Sequence, residues 1–79
     1  MDMAFVLVTC DLGYEKSVID ELKNITSVND VHGTFGIYDI VAKVENFDVQ
    51  EILDTTIAKI RKIPHVCSTL TLVGIPEQS

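Results

Sequence analysis

Basic residues are scarce in this chain: six lysines and arginines stand against twelve aspartates and glutamates, a formal charge of −6. A surface of that sign repels phosphate backbones. Three of the six bases, Lys59, Arg61 and Lys62, also crowd one helix end instead of forming a stripe. Direct nucleic-acid binding is disfavoured, and the acidity is read as serving solubility. Cysteine is sparse too. Cys10 and Cys67 are too few for a disulfide scaffold, and their apolar neighbours suggest ordinary buried thiols. A bridge between them would need their strands to be neighbours. Tryptophan is absent, and the aromatics are three phenylalanines and two tyrosines. That leaves little to line the deep apolar pocket of an enzyme. Neither His32 nor His65 has a partner at metal-ligand spacing. No apolar run approaches the roughly 18–20 residues that span a bilayer, and no signal peptide is read at the start, so a soluble, cytoplasmic protein is expected.

What is present is apolar material. With 79 residues the chain is read as one domain, 1–79, and 47% of them are hydrophobic. A domain this small buries only about 60–65% of the surface of its unfolded chain. The surplus points to self-association.

Ala4 to Cys10 is apolar except for Thr9 and rich in β-branched residues, which predicts a strand covered on both faces. Asp11-Leu12-Gly13 reads as a turn. Val18, Leu22 and Ile25 then recur at helical spacing, with Glu15, Lys16, Asp20, Glu21 and Lys23 outside them. Val28 to Phe35 alternates, Gly36 interrupts, and Ile37 to Asn46 alternates again, which predicts an antiparallel hairpin. Asp48 and Glu51 have the spacing of a capping pair. Val49, Ile52, Leu53, Ile57 and Ile60 form the predicted buried stripe of a second helix, which Pro64 ends. Val66 to Ile75 is the last predicted strand. The order βαββαβ predicts an α+β, ferredoxin-like sandwich: a four-stranded antiparallel sheet with two helices on one face.

Two helices cover one side of such a sheet, and strand parity assigns the other. Tyr38, Ile40, Val44, Leu70 and Leu72 are placed beneath the helices. His32, Thr34, Asp39, Val41, Thr69, Thr71 and Val73 are placed on the open face. That mixture of apolar groups, hydroxyls and one carboxylate suits a sheet-to-sheet dimer that traps a small polar ligand at its edge. Asp39 is suited to an α-ammonium group. Backbone N–H groups near Gly36, with the Thr69 and Thr71 hydroxyls, are suited to a carboxylate. Each feature also has a plainer reading: a hairpin glycine, a backbone-capping aspartate and two threonines with simple strand propensity.

Gly36-x-Tyr38-Asp39, followed by Ile63-Pro64-x-Val66 and Thr69-x-Thr71, resembles the C-terminal effector module of the Lrp/AsnC transcriptional regulators, known as the RAM or ligand-binding domain. The likeness runs from about Ala4 to Ile75, and Gly36-x-Tyr38-Asp39 is its most specific element. It implies a dimer of an α/β-barrel-like kind, built by sheet packing and assembled further into a ring, an octamer or decamer. It also implies an amino acid or related metabolite bound at contacts between dimers, and no cofactor or metal. Carried over, the effector-binding positions are Gly36, Tyr38, Asp39, Thr69 and Thr71, with Ile37 and Leu70 as weaker candidates. Two departures stand out. The helix-turn-helix that precedes this module in the family is not found, which suggests a stand-alone module that either co-assembles with full-length regulators or senses metabolites for another partner. In addition, His65 occupies a place where the family pattern has glycine, which predicts a locally different exit from the second helix.

Three functions compete on this reading: an amino-acid sensor without chemistry of its own, a purely structural assembly domain, and a cofactor-free enzyme on the same dimeric sandwich. The shortage of aromatics and the isolation of both histidines count against the last.

Overall fold

The structure is a computed structural model and describes residues 2–34 and 36–73. Strand β1 (Asp2–Cys10) leads to helix α1 (Glu15–Lys23), then strands β2 (Val28–Gly33) and β3 (Ile40–Asn46). The second helix has three joined parts: α2 (Val49–Glu51), a π-helical stretch Ile52–Thr56, and α3 (Ile57–Arg61). Strand β4 (Val66–Val73) closes the chain. The four strands pair in the order β2-β3-β1-β4, antiparallel throughout. This is the expected ferredoxin-like sandwich, with β2 and β4 as its edges. Phe35 and Ile75, which the sequence places at the ends of two strands, lie outside the described residues.

The core sits between sheet and helices. Ala4, Val6 and Val8 of β1 and Ile40, Ala42 and Val44 of β3 are fully buried against Val18, Leu22, Ile52 and Ile60 of the helices. Their period of two follows from the pleat, which sends alternate side chains to opposite faces. β1 is therefore covered on one face within the protomer, not on both, and Phe5 remains 38% exposed on the other.

The second helix explains a discrepancy in the predicted stripe. Ile52 and Ile57 are both buried although they are five residues apart, and Leu53 between them is 43% exposed. In a regular α-helix a five-residue step turns through about 500°, which takes a side chain off the shared face. Here the Ile57 N–H bonds to the Ile52 carbonyl, the i to i+5 pattern of a π turn. The wider turn brings both isoleucines to the core, buries Thr56 with them and leaves Leu53 outside. At the helix start, the Asp48 carboxylate accepts from the Gln50 N–H at 3.0 Å, as an N-cap should. The reciprocal half of the capping pair is not formed by Glu51: the Asp48 N–H is directed to the Asn46 side chain instead.

The parity of β4 is the reverse of the expected one. Thr69, Thr71 and Val73 stand opposite Val8, Val6 and Ala4, so they share the helix-covered face. Leu70 and Leu72 stand opposite Leu7 and Phe5 on the open face, 44% and 51% exposed. The reason lies in the edge position. β4 runs under the end of the second helix, where small threonines suffice, and its leucines join an apolar patch with Phe5, Leu7 and Val41. His32 and Thr34 do fall on the open side with Val41 and Asp39, as β2–β3 pairing and the Thr34 N–H to Asp39 carbonyl bond require.

Candidate functional site

Three loops meet at one end of the sandwich: the β1–α1 turn, the β2–β3 turn and the exit from the second helix. The β2–β3 turn is shaped by Gly36 at φ +144°, a conformation that side chains disfavour. Ile37 follows, 87% exposed, and then the half-buried Tyr38 and Asp39. Tyr38 thus sits in the turn before β3 and not on a strand beneath the helices. Its carbonyl accepts from the Thr34 hydroxyl, which ties the two arms of the turn together.

Asp39 is held from three directions. Its N–H donates to the Val8 carbonyl at 3.0 Å, its carbonyl accepts from the Thr34 N–H at 2.8 Å, and its carboxylate Oδ2 accepts from the Cys10 N–H at 2.9 Å. The side chain is a backbone cap, and it caps a neighbouring strand instead of its own turn. One carboxylate oxygen serves Cys10, and Asp39 also lines the cleft beside it. That cleft has a volume of about 600 Å³ and is lined by Glu15, Gly33, Thr34, Gly36 and Asp39. Two carboxylates and no base among its described lining residues make it a place for a cation such as an ammonium group.

A second cleft, about 360 Å³, opens on the other side of β1 along the free edge of β4. Arg61, Val66, Cys67, Ser68 and Thr69 line it, and the Arg61 Nε–H donates to the Thr69 hydroxyl at 3.2 Å. The Thr9 and Ser68 hydroxyls, 2.6 Å apart, bridge β1 to β4 just beside it.

Between the two clefts lies a cluster that fixes the helix exit. His65 has φ +75°, the left-handed conformation that glycine favours. The exit therefore keeps the glycine-like backbone, contrary to the expectation from the sequence. Left-handed backbone costs a non-glycine residue about 1–2 kcal/mol, and the surroundings offset it. The His65 ring stacks on Tyr14 at 3.6 Å, its Nδ1 lies 3.1 Å from Asp11 Oδ2, and its carbonyl accepts from the Asp11 N–H at 2.9 Å.

Asp11 also accepts from the Cys67 thiol, Sγ to Oδ1 3.1 Å. That bond, and then the one from His65, holds the Asp11 carboxyl below its ordinary value. The same bond, followed by partial desolvation, pushes the Cys67 thiol above its ordinary value. Cys10 is pushed up as well, mainly by burial and then by the charge of Asp39. Cys67 is exposed and Cys10 half-buried, so the expectation of two buried thiols fails for Cys67. Both are free, and β1 and β4 are indeed neighbours. Any stability carried by the Cys67–Asp11 bond is present below the ordinary thiol range and lost as pH rises through the raised folded value. Because the thiolate is the nucleophile, Cys67 should be alkylated slowly at pH 8 despite its exposure. Asp11→Asn removes the charge that retains the proton, and peptide-resolved mass spectrometry should then show iodoacetamide labelling faster by about threefold or more. An unchanged rate would mean that Asp11 does not control the thiol.

The residues picked out by the sequence are thus divided. Gly36 and Asp39 line the acidic cleft, and Ile37 and Tyr38 belong to its turn. Thr69 lines the second cleft with Arg61, while Thr71 lies further along the helix-covered face of β4 and Leu70 on the opposite face. In one protomer β1 stands between the two groups, so Asp39 and Thr69 do not share a cleft. Glu15, Arg61 and Ser68 were missed. Glu15 and Arg61 read as ordinary helix-end charges, and no sequence signal marks Ser68. Among the described residues, no group of three or more metal-binding side chains is placed to hold an ion, and no helix is long and apolar enough to cross a membrane.

The sequence profile of the Lrp/AsnC ligand binding domain matches residues 3–76. Over 74 residues the chain is 34% identical to an HTH-type transcriptional regulator of Pyrococcus furiosus, covering 90% of this chain and 49% of the regulator. The chain therefore spans about half the length of that curated relative. Among solved structures, FFRP-DM1 superposes with a TM-score of 0.87 at 31% identity, covering 95% of this chain and 100% of that one. E. coli AsnC shares the fold, with a TM-score of 0.85 at 24% identity over 94% of this chain and 50% of its own. The matching profile is that of a ligand-binding domain, and the curated relative is an HTH-type transcriptional regulator. The chain belongs to the Lrp/AsnC ligand-binding domain family.

Proposed function

We propose that this domain senses an amino acid or a closely related small metabolite and assembles into dimers and rings that place the effector at contacts between dimers. The observation that carries this reading is the acid-lined cleft at the Gly36–Asp39 turn, where the Asp39 carboxylate is anchored by the Cys10 N–H and Asp39 lines a volume of about 600 Å³. Small-ligand sites are typically of this size, with a few well-placed polar groups. The effector's ammonium group pairs with Asp39, and Glu15 adds to the negative field. The open face of the sheet supplies the dimer contact through Phe5, Leu7, Leu70 and Leu72. Working in the cytoplasm, the module influences Lrp/AsnC-type regulators by co-assembling with full-length relatives, and it takes no direct part in reading DNA.

A structural assembly domain is the competing account, favoured by one observation: Asp39 already has a purely architectural task in capping the Cys10 N–H. A thermal-shift screen of the purified protein against the standard amino acids and close metabolites separates the two. A ligand at a hundred times its dissociation constant stabilises the native state by about 2.7 kcal/mol, a clear shift for a small domain. Stabilisation by one or a few amino acids is the expected result. No shift with any of them would leave the structural account standing.

A further inference from the structure

The polar side chains that line the cleft at the glycine turn are Glu15, Thr34 and Asp39. The Thr34 hydroxyl spends its proton on the Tyr38 carbonyl, so toward a ligand its oxygen can only accept. Ionised carboxylates only accept as well, and all three side chains therefore call for a donor. The Thr34 and Asp39 N–H groups are already committed, to the Asp39 and Val8 carbonyls. Neither acid is neutralised within the protomer: the ion pairs among the described residues join His32 to Asp30, Lys43 to Glu45 and His65 to Asp11. Glu15 and Asp39 are both half-buried, and no hydrogen bond of the Glu15 carboxylate is found among the described residues. The two charges are felt close by, since burial and then Asp39 and Glu15 push up the Cys10 thiol. One bound ammonium group would leave one of these carboxylates uncompensated, in a protein of charge −6.

We propose that this cleft selects effectors with two cationic groups on a short methylene chain, Asp39 pairing with one and Glu15 reading the other. Basic amino acids and aliphatic diamines share that chemistry. Two carboxylates balance a dication, whereas a neutral zwitterion brings its own carboxylate against two groups of the same sign. Each ammonium group donates three hydrogen bonds and accepts none, which matches a lining whose polar side chains only accept. A volume of about 600 Å³ has room for such a chain. The assignment rests on the sensing function proposed above and deepens it. Glu15 becomes the residue that sets specificity, and the effector class narrows to cationic metabolites.

The test compares three ligands by calorimetric titration at constant ionic strength: lysine, norleucine, which has the same chain without the second ammonium group, and cadaverine, which has both ammonium groups and no carboxylate. Lysine should bind at least about tenfold more tightly than norleucine, the scale of one charge-assisted contact. Glu15→Gln should remove that advantage and leave norleucine unaffected, with the melting temperature of the free variant as the check on its fold. Cadaverine binding more tightly than lysine would assign the cleft to diamines, and the reverse order to basic amino acids; either supports a two-cation site. Norleucine bound as tightly as lysine, or lysine affinity unchanged in Glu15→Gln, would overturn it. The two proposals fail separately. Only neutral amino acids active in the thermal screen would keep the sensor and remove the selectivity. No active amino acid, with cadaverine bound in a Glu15-dependent way, would remove the amino-acid sensor and keep the dication site.

Discussion

Asp39→Ala should lose effector binding and also destabilise the fold, and the two losses should come apart in Asp39→Asn. The Asp39 carboxylate serves two purposes at once. Toward the protein it accepts the half-buried Cys10 N–H at 2.9 Å, and toward the cleft it presents negative charge. Alanine removes both. A donor left without a partner costs about 1–3 kcal/mol, a large fraction of the stability of a domain of this size. Asparagine retains a carbonyl oxygen for Cys10 but removes the charge. Urea denaturation without ligand should therefore place Asp39→Asn within about 1 kcal/mol of the wild type and Asp39→Ala clearly below it. Titration with the active amino acid should show affinity lost by at least about tenfold in both variants. An Asp39→Asn protein that binds as tightly as wild type would contradict an ammonium contact at this position.

The second large effect is expected on the open face of the sheet. Leu70 and Leu72 lie there beside Phe5 and Leu7, with exposures of 44%, 51% and 38% for Leu70, Leu72 and Phe5. A contiguous apolar surface on a small acidic protein is costly unless another surface covers it. Leu70→Asp would place an unpaired carboxylate in the middle of a sheet-to-sheet contact, and stranding a charge in a buried interface costs about 3–5 kcal/mol. That corresponds to a dimer weakened by roughly two to four orders of magnitude. Light scattering after size exclusion should show the wild type as an oligomer and Leu70→Asp as a monomer with unchanged circular dichroism. Were Leu70→Asp to keep the wild-type mass, the open face would not be the dimer contact.

The elements whose residues repeat locally were legible in the sequence. The alternation of Ala4, Val6 and Val8, the spacing of Val18 and Leu22, and the break at Gly36 each describe their own backbone, and each element is found, although β3 begins at Ile40 and not at Ile37 because the turn takes up Ile37, Tyr38 and Asp39. What stayed hidden depends on pairing or on irregular backbone. Hydropathy alone places the β4 leucines inward, but the register of β4 with β1 sends the threonines under the helix and the leucines outward. The five-residue step from Ile52 to Ile57 signals a π turn only when both residues are known to be buried. The capping function of Asp39 involves Cys10, twenty-nine residues away, and depends on β1 and β3 being neighbours. His65 illustrates a different limit. The sequence shows a residue unsuited to left-handed backbone but not the stack on Tyr14 and the bonds to Asp11 that hold it there. For the candidate site, Gly36 and Asp39 were visible through a local signature. Arg61 and Glu15 were not, because charges at helix ends look alike whether or not a cleft lies beside them.

The most direct test is a crystal structure of the protein grown with the amino acid that gives the largest thermal shift. The ligand's ammonium group should lie within hydrogen-bond distance of the Asp39 carboxylate, beside the backbone of Gly36. A ligand found elsewhere, with the cleft at the glycine turn empty and Asp39 bonded only to Cys10, would contradict the sensing function at its centre.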